Sequence, residues 1–396
     1  MPSNAACACP VCLKDADHPT AIERDGVPVL QNVIVPTREE AIGFPTHVLK
    51  MRFCERCNFV WNSAFDPGRI DYGKDYNNDA QGSGFYRAHQ EERARAVARA
   101  LGASPGAVVE IGCWNGEFMQ AMARAGLDAP KIGFDPAYTG PDEREDGMKI
   151  HRAYFGRDSL DRIPAELAAV VSRHTIEHIA APRPFIASLA ELFSRGGAPR
   201  LFLETPDVGW TLRNDAFEDW YYEHCSLYSP TSIEYLLREF GLEGRTTGVF
   251  GDQYMWTEAA RGGPRGAGRP DLAPVVFAHK AAEARFFEAW AERLRALRRA
   301  GPVAIWGAAS KGVTFTLVLN RLEPGLIDAA IDLNAKKQGG FLPVTGLEIV
   351  SPEAARARGV RTVIVMNPNY FGEIEAMMGG MDWPAAALPI RETEAA

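Results

Sequence analysis

The sequence predicts an α/β protein in three units, a small N-terminal zinc-binding module followed by two Rossmann-like α/β domains. Three features carry this reading: paired Cys-x-x-Cys knuckles near the N terminus, a buried strand with a glycine turn and a helix in "GAVVEIGCWNGEFMQAMARAGL", and the same rhythm restarting at "PVAIWGAASKGVTFTLVLN". At 396 residues and 46% hydrophobic, the chain exceeds what one core usually serves. The units are expected at 1–75, 76–262 and 275–396.

Seven cysteines are few for a disulfide scaffold of this length, and their odd number points to metal or free thiols. Cys9/Cys12 and Cys54/Cys57 form two knuckles separated by 41 residues. Each knuckle aims two thiolates at one point, and two complete a tetrahedron. Four thiolates leave no open position, so the expected Zn2+ is structural, with redox chemistry of the Cys-x-x-Cys pairs as the other reading. The gap requires an intervening subdomain, for which "GVPVLQNVIVPT" and "PTHVLKMRF" supply strand-like runs. Cys7 lies beside the first knuckle, but the Cys9/Cys12 spacing is the better one.

The second unit opens with the Arg/Ala/Glu-rich helix "FYRAHQEERARAVARALGA", ending near Gly102. After the glycine turn come the strands "KIGFDP" and "AAVVSRH", the helix "RPFIASLAELFSRGG" and the strand "RLFLETP". Strands alternating with helices mean a parallel sheet. Ser229 caps a helix that starts at Pro230. "FGDQYMWTEA" reads as a strand-bearing connector to a Gly/Pro/Arg-rich linker at 261–274. A long helix, "FFEAWAERLRALRRAG", leads into the third unit.

A net charge of −8 disfavours a protein that grips a phosphate backbone, so no nucleic-acid partner is expected. No run approaches the roughly 20 apolar residues of a membrane span, and the N terminus lacks a secretory pattern. The expectation is a cytoplasmic protein without a membrane partner. Oligomeric state is not readable.

In "VVEIGCWNG", Glu110 ends the strand, and Gly112 and Gly116 flank a turn that is not the strict dinucleotide fingerprint. Asp135, 23 residues beyond Gly112, ends the next strand, where an acid accepts from ribose hydroxyls. Two carboxylates would repel a pyrophosphate and favour a sugar-bearing ligand without one. These features resemble the S-adenosylmethionine site of class I methyltransferases. On that likeness Glu110, Gly112, Asn115, Gly116, Asp135 and His174 are the expected cofactor-binding residues.

In "SRHTIEHIAAP", His174 and His178 stand four apart, but Glu177 abuts the second histidine instead of following the first as a zincin motif requires. A metal pair is therefore rejected in favour of one histidine near substrate and one packed on the sheet. "WYYEHCSLYSP" places phenols, Glu223 and His224 together, as proton abstraction beside a carbonyl requires. Hydrogen-bonded structural residues would leave the same pattern.

The ordered set of knuckles, "YGKDYNNDAQGSGFY", "EIGCWNG", "SRHTIEHI", "YYEHCSLYS", "GAASKG" and "DLNAKKQGGFLPVTG" resembles the nucleotide-sugar C-methyltransferases over nearly the whole chain. The resemblance implies methyl transfer from S-adenosylmethionine to C-3 of a nucleotide-linked 4-keto-deoxysugar through an enolate. It implies His224 as base, Glu223 and a tyrosine of the Tyr221/Tyr222 pair around the keto-sugar, and Tyr76 and His178 reaching the site. The third unit would share in nucleotide-sugar binding through Lys311, Asp332 and Lys337. Asp332 lies 20 residues beyond Gly312, the spacing of a ribose-binding acid. Where the family usually reads Pro-Gly-Thr, this chain has Pro343-Val344-Thr345, a departure that bears on the local nucleotide contact. Sugar O- or N-methylation is the alternative within the class. An NAD(P)-dependent oxidoreductase and a zinc-module binding protein with scaffold domains are the alternatives outside it.

Overall fold

The computed structural model describes residues 7–73, 76, 82–103, 106–264, 266 and 271–391. Of the expected 261–274 linker, residues 265 and 267–270 lie outside this set.

The N-terminal unit begins with a short hairpin, β1 (Cys7–Ala8) and β2 (Asp15–Ala16), around the first knuckle. It continues as an antiparallel sheet of β3 (Thr20–Pro28), β4 (Thr46–Cys54) and β5 (Phe59–Asn62). The second knuckle is the β4–β5 turn. The knuckles close alike: Leu13 N donates to Cys9 O and Asn58 N to Cys54 O, with Leu13 and Asn58 both left-handed at φ 58° and 56°. "PTHVLKMRF" is β4 as expected. "GVPVLQNVIVPT" is not a strand beyond Pro28, because its backbone serves the site: Gln31 N donates to Glu223.

The central sheet holds β6 (Ala107–Ile111), β7 (Lys131–Phe134), β8 (Lys149–His151), β9 (Leu167–Arg173) and β10 (Arg200–Pro206). Next in chain order is β11 (Ser226–Leu227), which leaves this sheet and pairs antiparallel with β5. The chain then returns as β12 (Leu242–Val249) and β13 (Tyr254–Arg261). The order is β12-β13-β10-β9-β6-β7-β8, parallel except around β13. "FGDQYMWTEA" therefore supplies a central-sheet strand and not a mere connector. The expected helix before β6 spans Gly84–Leu101, capped by Ser83 and stopped by Gly102 at φ 56°. Pro230–Glu239 carries the expected Ser229 cap.

A 26-residue helix, Ala273–Arg298, leads into the third sheet. Its strands are β14 (Val303–Trp306), β15 (Ala329–Ile331), β16 (Ile349–Val350), β17 (Thr362–Val365) and β18 (Ala386–Pro389), all parallel in the order β16-β15-β14-β17-β18. The N-terminal unit binds the other two together. Val11, Phe59 and Trp61 share a core with Ile186 and Leu236 of the central helices, while Leu49, Met51 and Phe53 share one with Trp220, Phe287 and Phe315. No helix among the described residues is long and apolar enough to cross a membrane.

Candidate active site

Two cavities meet at the C-terminal edge of the central sheet, where open α/β sheets bind ligands. The first, about 640 Å3, is lined by Glu110, Gly112, Trp114, Asp135, Arg173, His174 and Tyr154 among others. Its floor is the turn after β6. Gly112 has φ 75°, and a Cβ there would lie 1.9 Å from Thr175 Oγ1, so only glycine fits. Asp135 holds the turn, accepting from Trp114 N at 2.7 Å and Ala137 N at 2.8 Å. Glu110 is fully enclosed. Burial pushes its pKa up to about 8, with Arg173 pulling the other way, and its Oε2 has no hydrogen-bond partner. A glycine cradle, an orphaned carboxylate oxygen and a second acid at the ribose position fit S-adenosylmethionine. Asn115 and Gly116 do not line the cavity. Asn115 lends its carbonyl to Arg144, and Gly116 takes a left-handed φ of 82° to start the helix Glu117–Arg124.

The second cavity, about 510 Å3, has walls from all three units: Asn32, then Tyr76, His174, His178, Tyr221 and His224, then Lys311, Asp332, Asn334 and Lys337. Tyr76, Tyr86, His174 and His178 line both cavities and form the seam between them. Tyr222 points elsewhere: its hydroxyl accepts from Asp66 N at 2.8 Å and its ring packs on Phe65 and His47. Of the tyrosine pair, only Tyr221 faces the cavity, because the chain here is turning into β11. Glu223 does not line the cavity either. Buried behind it, Glu223 accepts from Gln31 N at 3.1 Å and Tyr76 Oη at 3.3 Å and lies 3.8 Å from His178 Nδ1.

The seam is electrostatically uneven. His174 is left-handed at φ 49°, an outlier of the kind that concentrates at functional sites. Burial alone would lower its pKa. Glu177 and Glu204, 3.6 and 3.5 Å from its ring nitrogens, overcome that and raise it to about 10, so His174 is an imidazolium. Glu204 also accepts from His89 at 2.5 Å and Arg173 at 2.7 Å. His224 is the opposite case. Burial, then His178, lowers its pKa to about 3 and keeps the ring neutral. Its ring stands edge-on to His178 and to Tyr221, both at 4.8 Å. Polar atoms of Glu177, His178 and His224 converge within 4.8 Å. The His174/His178 pair itself is split between a strand end and a 3-10 turn, with His178 Nδ1 hydrogen-bonded to Tyr72 Oη at 2.8 Å.

Lys311 and Lys337 are partnered within the protein. Lys311 Nζ pairs with Asp219, which also accepts from Tyr221 Oη at 2.6 Å. Lys337 Nζ reaches Ala308 O at 3.4 Å and Asp332 at 3.8 Å. The helix Ser310–Leu322 begins at this cavity with no side-chain cap. Val344 lines neither cavity. It stands at φ 66° and donates its N–H to Ala41 O, joining the third unit to the first.

Sequence reasoning missed Tyr72, Tyr86, Gln90, Trp114 and Arg173 on the donor side and Asp219 and Tyr254 on the acceptor side. A signal was present for some of them. Arg173 stands next to His174, Trp114 lies inside "EIGCWNG", and Tyr72 and Tyr86 end the stretch "YGKDYNNDAQGSGFY". Asp219 stands next to "WYYEHCSLYSP", while Gln90 and Tyr254 lie inside runs read only as a helix and a strand, so folding alone shows that they reach the cavities.

Zinc chemistry can be tested at the knuckles. Cys9 and Cys57 sulfurs lie 3.7 Å apart, Cys12 and Cys54 sulfurs 3.5 Å, and all four fall within 4.8 Å. A tetrahedron with Zn–S bonds of about 2.3 Å has edges of about 3.8 Å. The four residues are buried and fit a closed metal site.

Residues 85–247 match a family model described as a methyltransferase domain, and residues 276–384 one described as a C-methyltransferase C-terminal domain. The chain is 25% identical to the C-methyltransferase NovU of Streptomyces niveus over 390 residues, 92% of this chain and 90% of that one. It is 30% identical to a ubiquinone biosynthesis O-methyltransferase of Methylococcus capsulatus over 93 residues, 22% of this chain and 39% of that one. Similar solved structures include the plantazolicin methyltransferase BpumL with SAH (12% identity, TM-score 0.34, 50% of this chain and 91% of that one). Another is the magnesium protoporphyrin IX methyltransferase of Synechocystis PCC 6803 with bound SAH (19% identity, TM-score 0.32, 45% and 85%). The strand order, the donor cavity and the match at 85–247 define a class I S-adenosylmethionine-dependent methyltransferase. The match at 276–384 and the near-full-length similarity to NovU narrow this further, to an S-adenosylmethionine-dependent C-methyltransferase, an enzyme that transfers the methyl group to carbon.

Proposed function

We propose that the acceptor is a nucleotide-linked 4-keto-deoxysugar, methylated at C-3 through an enolate. The observation that carries the reading is the seam: one cavity suited to the methyl donor opens, past Tyr76, His174 and His178, onto a second that contains a neutral imidazole. When bound, S-adenosylmethionine supplies an electrophilic methyl group. Glu110, Gly112, Asp135 and the seam residue His174 would hold it.

His224 takes the proton from the carbon beside the ketone. Glu177 and Asp219 nearby favour its charged form once the proton arrives. The phenol protons of Tyr76 and Tyr221 are directed to Glu223 and Asp219, so their oxygens meet the sugar as acceptors. Positive potential at the enolate oxygen comes from His174, with His178 held in place by Tyr72. Glu223 acts by positioning Tyr76 and His178. The uncapped N terminus at Ser310, with Lys311 and Lys337 nearby, suits a diphosphate, and Asp332 suits a ribose. The units 1–75, 76–262 and 275–396 then correspond to a zinc-stapled clasp, a donor domain and a nucleotide domain. Zn2+ at Cys9, Cys12, Cys54 and Cys57 would be structural; one zinc per chain by elemental analysis and unfolding of Cys54→Ser are the expected results, and a metal-free chain that keeps its fold would overturn the assignment.

Deuteromethyl S-adenosylmethionine incubated with a panel of nucleotide 4-keto-6-deoxysugars tests the reading. A labelled methyl on C-3, located by mass spectrometry and carbon NMR, is the expected result. Label on another ring carbon would move the enolate, and no label across the panel would remove the acceptor class.

A further inference from the structure

Arg173 closes β9, and its buried guanidinium has a one-sided set of partners. Nε donates to Glu204 Oε2 at 2.7 Å, the plane stacks 4.3 Å over the Phe118 ring, and Nη2 has no hydrogen-bond partner. In the neighbouring strand, Glu110 carries the complementary defect, an Oε2 without a partner. Both residues line the donor cavity. Val171, two residues before Arg173, pairs with Glu110 across β6 and β9, so both side chains rise from the same face of the sheet. An orphaned buried donor and an orphaned buried acceptor each cost free energy, and native structures leave few without a role.

We infer that Arg173 receives the α-carboxylate of the amino-acid end of S-adenosylmethionine, beside Glu110, which is already placed at the donor. The inference rests on the donor reading of this cavity. It also orients the ligand. With the ribose at Asp135 and the amino-acid end at Arg173, the reactive sulfur falls between them, towards the seam of Tyr76 and His178. Glu204 holds the guanidinium in place, and His89 and His174 hold Glu204. The cluster that keeps His174 charged thus also presents Arg173. Other cations at this cavity serve less well: Arg157 is 80% exposed and pairs with Glu191, and His174 lies between two carboxylates.

Calorimetric binding of S-adenosylhomocysteine and of its decarboxylated analogue to the full chain tests this without turnover. The wild-type protein is expected to prefer the carboxylate-bearing ligand by about 10- to 100-fold, the worth of a hydrogen bond between charged groups. Arg173→Gln is expected to bind the two alike. Should that substitution leave Glu204 uncompensated and the protein unfolded, Arg173→Lys decides, with a preference cut to a few-fold. As an internal control, Glu110→Gln should retain the carboxylate preference. A wild-type protein indifferent to the carboxylate, or a folded Arg173 variant that keeps the full preference, overturns the assignment. A wild-type protein that binds neither ligand overturns the donor reading itself, a distinct result.

Discussion

The donor cavity is built mainly from one sheet edge and the turns that leave it, from Glu110 to Trp114, Asp135 to Ala137 and Arg173 to Thr175, whereas the acceptor cavity draws its walls from three units far apart in sequence. The first is local: a strand end, a glycine that only fits without a Cβ, and an acid that pins the turn. The second exists only because β11 leaves the central sheet for β5 and because the N-terminal unit shares a core with both neighbours. Chemistry at the donor cavity should therefore survive changes that abolish chemistry at the acceptor cavity.

The largest separation is expected from His224→Ala. Loss of a general base costs about 100- to 10,000-fold in kcat, while S-adenosylhomocysteine affinity by calorimetry stays within about twofold, since His224 does not line the donor cavity. Gly112→Ala is the converse test. Its Cβ would collide with Thr175 at 1.9 Å in a backbone at φ 75°, so donor affinity should fall at least about tenfold and stability by about 2–3 kcal/mol. A variant that loses acceptor binding but keeps the donor would uphold the distinction, and one that loses both together would break it.

The same contrast explains what is legible in the sequence. Each knuckle turn, the β6 turn and the Ser229 cap depend on neighbours within a few residues and stand where the sequence puts them, and Asp135 reaches Trp114, 21 residues earlier, from the end of the adjacent strand. Tyr222 and Glu223 escape prediction because alternation along an irregular segment does not tell which side chain faces a cavity closed by another unit. The lysines escape it in another way. Lys311 meets Asp219 from a different domain, a pairing that no spacing within the chain reveals. Tyr72, Tyr86 and Arg173 lie at the edge of stretches that could be singled out, and only the folded seam shows why they matter.

Acidity should separate the histidines by a smaller amount. His174 is raised to about 10, so its stabilising contribution is complete below the unfolded value near 6.5 and is lost as pH climbs towards 10. His224 and His279 are lowered to about 3, so stability is lost as pH falls from about 6.5 towards 3 while the unfolded chain takes up their protons. Melting temperature should peak near neutral pH, and His174→Gln should flatten the alkaline limb, with a smaller change in the acid limb because Glu177 and Glu204 are held low in part by His174. The smallest effect belongs to Val344→Gly. Relief of a strained β-branched residue at φ 66° offsets lost packing and added chain entropy. Stability should move by less than about 1 kcal/mol and kcat not at all, as expected of a residue that lines neither cavity.

The central claim is that the acceptor cavity generates the carbon nucleophile by itself, beside a donor site that need not react. Solvent exchange tests it directly: the nucleotide 4-keto-6-deoxysugar, incubated in heavy water with the protein and S-adenosylhomocysteine, is examined by proton NMR. Deuterium entering at C-3 with the wild-type protein, and not with His224→Ala, is the predicted result. No exchange at any ring carbon by a preparation that methylates the same sugar when given S-adenosylmethionine would contradict it.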